Sequence, residues 1–401
     1  MEGLFCLICM FNYSFGLILT YLLKGNQSNI LRILAIFVLV FSVVEYQSSL
    51  KCDEQYPKPY FNKCLLIAVG ILAWMGIIYF MHGYLPECMR MYILAFPTRV
   101  LSMIFLAYAF IRKHLLDKIS KWINPFAYFY TLTLLYIVLT NVSVNTRTLG
   151  IDRQVLSYAG AYAFMLLLYV NMNFYGISKF EFFSSKYIIW INYLMIAIDL
   201  YIVFAGGGRG AFVLVEIGMA YFLLKNLSTL NMKKIISSAL IIVVGVIIIN
   251  IASTSTYTMS GFFSIQSLFE NGFVDQSSMD RLELYTTAWG YAKESWFLGN
   301  GAGSTAYTVG FYSHNIFIDI LVEYGFWGII IIAVMIIKFW LKVIRYNKLD
   351  TQIDYIAIIF ICSFTMLLFS GSMYSESAIW FSFISMLLLD ENEYCERRIG
   401  E

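Results

Sequence analysis

The chain has 401 residues, 60% of them hydrophobic and 13% charged, with a mean hydropathy of +0.73 and a formal net charge of +2. A soluble globular chain is nearer half apolar and about a quarter charged. A chain this apolar cannot cover its core with polar surface, so a bilayer must supply part of its solvent. The near-neutral charge argues against nucleic acid as a partner, and the many Tyr and Trp residues suit interfacial belts.

Apolar runs long enough to cross about 30 Å of hydrocarbon are predicted near 3–22, 29–46, 64–82, 92–111, 122–143, 154–175, 187–205, 209–224, 234–252, 315–340, 353–371 and 373–390. The expected fold is an all-α polytopic membrane protein with about twelve transmembrane helices. It forms a single membrane domain over 1–401 with one long outer loop, 253–314, embedded in it. The hairpins 187–224 and 353–390 have short connections, which makes their spans antiparallel neighbours. Cys6 and Cys9 form a CxxC inside the first run and read as two small apolar helix residues. Cys88 is the one cysteine placed outside, which speaks against a disulfide framework. The N-terminus has neither a basic region nor a small-residue cleavage site, so the first run reads as a retained span.

Lys and Arg set the orientation. With both termini cytoplasmic, the inner segments hold most of the 27 basic residues, above all Arg112, Lys113, Lys118 and Lys121, then Lys338, Lys342, Arg345 and Lys348. The outer set is Lys24, Arg32, Arg90, Arg99, Arg147, Arg153, Arg209, Arg281 and Lys293. It is mostly arginine, whose planar fork suits bidentate binding of phosphate or carboxylate.

Three outer segments carry more polar chemistry than a connector needs. The first is Gly206-Gly207-Gly208-Arg209-Gly210, between the seventh and eighth spans. Its glycines let backbone approach a ligand, and Arg209 falls at a helix N-terminus, where an anion is favoured. A tight turn with Arg209 snorkelling to headgroups is the alternative. The second runs from Ser277 to Trp296. Asp280 with Glu283 resembles a capping box, which places Arg281 in the first turn of an amphipathic helix. Leu282, Tyr285, Trp289, Ala292 and Trp296 form its apolar stripe, lying on the membrane or packed on the bundle. A salt bridge is the alternative role for Arg281. Gly299-Asn300-Gly301-Ala302-Gly303 ends this helix as a flexible stop. The third segment is Ser313-His314-Asn315, opening a helix on which Asn315, Asp319 and Glu323 make one polar stripe. Acids in an apolar helix should face a cavity or a partner; His314 alone also suits a plain interfacial residue. Asp199 and Glu216 lie within spans seven and eight, Glu216 on the face of Arg209 and about 10 Å deeper. They are functional candidates, with helix–helix hydrogen bonding as the bland reading. No Asp-x-Asp pair, His/Cys metal spacing, P-loop or outward Ser-His-Asp set is evident.

Together these segments resemble the bacterial O-antigen polymerase and ligase family (Wzy/WaaL type). The match rests on Gly-Gly-Arg209-Gly-Ala, on Arg281-Leu-Glu-Leu with Trp289, Ala292 and Leu298-Gly299-Asn300-Gly301-Ala302-Gly303, and on His314-Asn315 with Ile318, Leu321, Glu323, Gly325 and Gly328. Order and spacing agree over roughly 199–340. Many members have serine where this chain has glycine before Arg209, and often a proline where it has Ser295-Trp296-Phe297. The resemblance implies a GT-C-like, metal-independent glycosyltransferase without cofactor, acting on an undecaprenyl-pyrophosphate-linked oligosaccharide at the outer face of the bacterial plasma membrane. Its product would be an O-antigen or capsule polymer. A chain-length regulator and a flippase are candidate partners, besides the lipid bilayer itself. Arg209 and Arg281 would hold the pyrophosphate, and His314 would act as base. Asn315, Glu323, Asp199 and Glu216 would bind substrate, with Asp319 in reserve as base or orienter. Polymerase is favoured over ligase, because a ligase needs a lipid A core acceptor. A lipid-linked oligosaccharide flippase is the reading from another class.

Overall fold

The computed structural model describes residues 1–51, 66, 69–70, 73, 96–140, 153–173, 188–227, 276–309, 312–346, 351–374 and 376–389. The expected spans 64–82 and 234–252 fall largely or wholly outside these residues, as does the outer-loop stretch 253–275.

The described elements are helices: α1 (Glu2–Met10), α2 (Asn12–Leu23), α3 (Gln27–Lys51), a π-helical turn (Phe96–Leu101), α4 (Ser102–Arg112), α5 (Leu115–Thr140) and α6 (Arg153–Asn173). They continue as α7 (Ile188–Gly206), α8 (Arg209–Leu227), α9 (Gln276–Glu294), α10 (Ser304–Thr308), α11 (Ile316–Tyr346), α12 (Thr351–Phe369) and α13 (Ala378–Leu388). Six of them are long and apolar enough to cross a bilayer, or seven if α1 and α2 count as one broken span. Only part of the expected set of about twelve is therefore met among the described residues. α4 and α13 have 11 residues each, and α8 carries Arg209, Glu216 and Lys225.

Large apolar side chains are exposed in stripes at helical spacing: Ile33, Ile36, Val40 and Val44 on α3, and Val334, Ile337, Leu341 and Ile344 on α11. Water would penalise such stripes, whereas lipid accepts them, so they mark a multi-pass membrane protein.

The chain divides into two compact units: Met1–Leu34, Leu116–Met279 and Phe364–Met366 in the first; Ala35–Leu115, Asp280–Ser363 and Leu367–Glu401 in the second. In the first, α6 is buried on all sides from Leu156 to Val170. Gly160 brings α7 close, since a Cβ there would sit 2.9 Å from Cγ2 of Ile202. The expected span at 3–22 is two helices bent by 96° at Phe11. The Ser14 and Tyr130 hydroxyls, 2.7 Å apart, both reach the Phe11 carbonyl. Hydroxyls inserted at a helix's carbonyls are a recognised cause of such a kink. Cys6 and Cys9 are buried on α1, in line with the apolar reading of the CxxC.

In the second unit α12 is the enclosed helix, buried from Ile353 to Ser363. Phe339 stacks on Phe360 at 4.1 Å, and Phe110 meets both Tyr355 and Phe381. Lys342 Nζ donates to the Met386 and Leu389 carbonyls, 2.9 Å each, closing the C-terminal end of α13. Lys113 Nζ pairs with the Glu45 carboxylate at 2.5 Å and donates to Ser48 Oγ, with the ion pair almost wholly buried. Removing one member of a buried pair leaves an uncompensated charge, which costs about 3–5 kcal/mol. Glu45→Ala should therefore lower the detergent-solubilised protein's unfolding midpoint sharply, while Glu45→Ala with Lys113→Met restores much of it. An unchanged midpoint in the single variant would show that the pair is open to solvent.

Candidate functional site

In the first unit, the turn between α7 and α8 is the two residues Gly207 and Gly208, and Arg209 is the first residue of α8, as expected. Gly207 adopts φ 67° and its amide donates to the Val203 and Phe204 carbonyls, closing α7. The Gly208 amide donates to Ser157 Oγ at 2.9 Å, and that hydroxyl donates in turn to the Val203 carbonyl. A hydroxyl is thus present at this turn, supplied by α6 rather than by the residue before arginine. Arg209 is partly buried. Asp199 is fully buried and accepts a 2.8 Å hydrogen bond from Thr131 Oγ1 on α5. Its second oxygen has no hydrogen-bond partner among the described residues. Glu216 is exposed on α8. The two acids of this hairpin therefore occupy different environments.

The second unit gathers the other candidates. α9 starts at Gln276, so Arg281 is a full turn inside the helix and Asp280 is no N-cap; the expected capping box is not formed. The apolar stripe divides between its two expected placements. Small residues pack inward, Ala288 and Ala292 against Val322, with Ile318 and Leu321 beside them. Leu282, Trp289 and Trp296 point outward and are more than half exposed. Small residues permit close helix approach, and the bulky ones suit a membrane interface. Helical spacing puts Arg281 on the inward face, seven and eleven residues before the two alanines. Tyr285, one turn on, feels both Arg281 and the Asp319 carboxyl; its phenol is raised mainly by burial.

The glycine segment after α9 is not a flexible stop. α11 is broken at Gly325, which has φ 62° and ψ −157°. A break there frees carbonyls above it and amides below it. The glycine segment satisfies them: Asn300 N–H donates to the Val322 carbonyl at 2.7 Å, Gly301 N–H to the Glu323 carbonyl at 2.9 Å, and Phe326 N–H to the Trp296 carbonyl at 2.8 Å. Asn300 Nδ2 adds bonds to the Tyr291 and Val322 carbonyls. Gly299, Gly301 and Gly303 all adopt positive φ.

Asn315 caps α11, its Oδ1 accepting from the Phe317 and Ile318 amides. Its carboxamide oxygen is thus engaged in positioning the helix. His314, just before it, adopts φ 61° and meets Tyr312 edge-on at 4.5 Å. Asp319 Oδ1 accepts from the Ser313 amide at 2.9 Å, which ties the histidine loop to the first turn of α11. Asp319 and Glu323 are 4% and 2% exposed, so the stripe faces inward as expected. Tyr374 Oη donates to Glu323 Oε2 at 3.0 Å, and the Gly303 amide and Thr305 hydroxyl face the same carboxyl.

Tyr374 and Glu376, neither of them among the expected site residues, complete this cluster together with Arg99. Arg99 Nη1 donates to the Tyr374 carbonyl at 3.4 Å. Glu376 is buried in the 370–377 segment; burial pushes its carboxyl up to about 7, against the pull of Arg99. A buried carboxylate among aromatic residues opposite an arginine was the available signal, but no spacing rule connects residues 275 apart.

These features define a multi-pass helical membrane protein with inward acids, an arginine-bearing helix and a histidine loop locked together in its second unit. Residues 194–333, about a third of the chain, match the family model Wzy_C, described as O-antigen ligase. The match includes Arg209, Arg281 and His314, and it bears out the resemblance to the O-antigen polymerase and ligase family read from the three motifs. No curated protein and no solved structure matches the chain.

Proposed function

We propose that the chain is a bacterial surface-polysaccharide polymerase, a GT-C-like glycosyltransferase that joins undecaprenyl-pyrophosphate-linked repeat units at the outer face of the plasma membrane. Both termini are then cytoplasmic, and the 253–314 loop lies outside within a single membrane domain. The observation that carries this reading is the docking of the glycine segment on the α11 break. It holds Arg281, the His314 loop, Asp319 and Glu323 in one body, inside the stretch that matches the family.

In the proposed reaction the acceptor sugar hydroxyl attacks the anomeric carbon of the donor glycan. The C–O bond to pyrophosphate breaks, and the hydroxyl proton passes to neutral His314. The leaving pyrophosphate gains charge, which Arg281 and Arg209 are proposed to hold. Asn315, Glu323, Asp199 and Glu216 are proposed to bind substrate. An apolar cavity of about 400 Å³ lined by Ile320, Tyr324, Gly328, Ile331, Trp380 and Phe383 offers room for part of an isoprenoid tail.

The test is a reaction of the purified protein with lipid-linked repeat units. A ladder of products is expected. Transfer only onto lipid A core would make it a ligase. Translocation across vesicles without bond formation would replace the enzyme reading with a flippase.

A further inference from the structure

We infer that Tyr374 is a positioning residue that fixes the Glu323 carboxyl for substrate, and that Arg99 in turn fixes Tyr374. The inference rests on the proposed substrate-binding role of Glu323.

Tyr374 sits in the segment joining α12 to α13, far in sequence from both partners, yet it is 5% exposed and its hydroxyl meets two groups at once. One is Glu323 Oε2 at 3.0 Å; the other is the Tyr324 hydroxyl. A phenol has one proton to donate and lone pairs to accept with. If Tyr374 donates to the carboxylate, its oxygen accepts from Tyr324, so the three groups form a directed chain ending on Glu323. Such chains hold their last member in one rotamer more firmly than a single contact does.

The segment is itself pinned on two sides. Trp380 Nε1 donates to the Met373 carbonyl at 2.8 Å, and Arg99 Nη1 reaches the Tyr374 carbonyl at 3.4 Å. Arg99 also faces the buried Glu376. Glu323 lies one turn from Asp319, which holds the amide beside His314. Tyr374 therefore supports a polar stripe that runs up to the histidine loop.

The experiment uses the full-length protein with lipid-linked repeat units and compares Tyr374→Phe, Glu323→Gln and the double variant. Tyr374→Phe is expected to lower kcat/KM about tenfold, the upper value of one ordinary hydrogen bond. The double variant should be no worse than Glu323→Gln alone. Tyr374→Phe is expected to lower the unfolding midpoint as well, because it leaves buried partners unsatisfied, so kcat/KM is read at a temperature where every variant is folded. Arg99→Gln should give a smaller loss that vanishes in the Tyr374→Phe background. Full activity in Tyr374→Phe, or losses that multiply in the double variant, would overturn the inference. Full activity in Glu323→Gln removes the role on which it rests. A parent protein that makes no polymer fails the functional proposal instead.

Discussion

Gly325→Ala is expected to abolish polymer formation and to lower the unfolding midpoint. At φ 62° and ψ −157° the backbone of Gly325 occupies a region that is essentially reserved for glycine, and an alanine there costs about 1–3 kcal/mol. Space adds to the strain. A Cβ on Gly325 would lie 2.5 Å from the Gly299 nitrogen and 2.6 Å from the Phe297 carbonyl oxygen. Both obstacles are backbone, so relief requires the glycine segment to lift away. That breaks the bonds from Asn300, Gly301 and Phe326, and each buried group left unsatisfied costs about 1–3 kcal/mol. Gly299→Ala should fail alike, because its Cβ would lie 2.5 Å from the Glu323 carbonyl. Activity with lipid-linked units and unfolding in detergent read both effects. A stable, active Gly325→Ala protein would show that the docked segment is dispensable.

Arg281→Ala and His314→Ala are expected to lower polymer formation about 10²- to 10³-fold while the protein stays folded, the scale of losing one preorganised charge-stabilising donor. Arg281→Lys should recover little if two parallel bonds to phosphate are required, since an ammonium provides a point charge only. His314 needs a further control because of its φ of 61°. Asparagine tolerates this left-handed conformation far better than alanine does. His314→Asn therefore keeps the backbone and removes the base. Inactivity in both variants supports imidazole chemistry; recovery in His314→Asn would assign the alanine defect to the loop's shape. Normal chain length from Arg281→Ala would end the proposed role of that arginine.

Much of the architecture was legible because lipid imposes a simple rule on sequence. Uncharged apolar runs placed α3, α5, α6, α7, α11 and α12 to within a turn or so at most ends. The local motif geometry followed as well, with Arg209 opening α8 and Ser313-His314-Asn315 leading into α11. What failed depended on contacts between distant residues. The kink at Phe11 involves Tyr130, more than a hundred residues away. Periodicity alone could not choose between lipid and bundle for the stripe on α9, because a bilayer lets Trp289 and Trp296 stay outside while Ala288 and Ala292 pack inward. The glycines after α9 suggested flexibility, and their real partner was the break at Gly325. Tyr374, Glu376 and Arg99 left no periodic trace.

The meeting of Gly299 and Gly325 has a consequence for how such chains diverge. Neither position tolerates a side chain while the other keeps its backbone in place, so the two constrain each other rather than each serving its own turn. Among related chains the pair is expected to vary together: a relative that straightens this helix is free to replace both glycines, and one that keeps the break must keep both. Compared across many sequences, that coupling would reveal which relatives hold the arginine helix against the acid-bearing helix in this way.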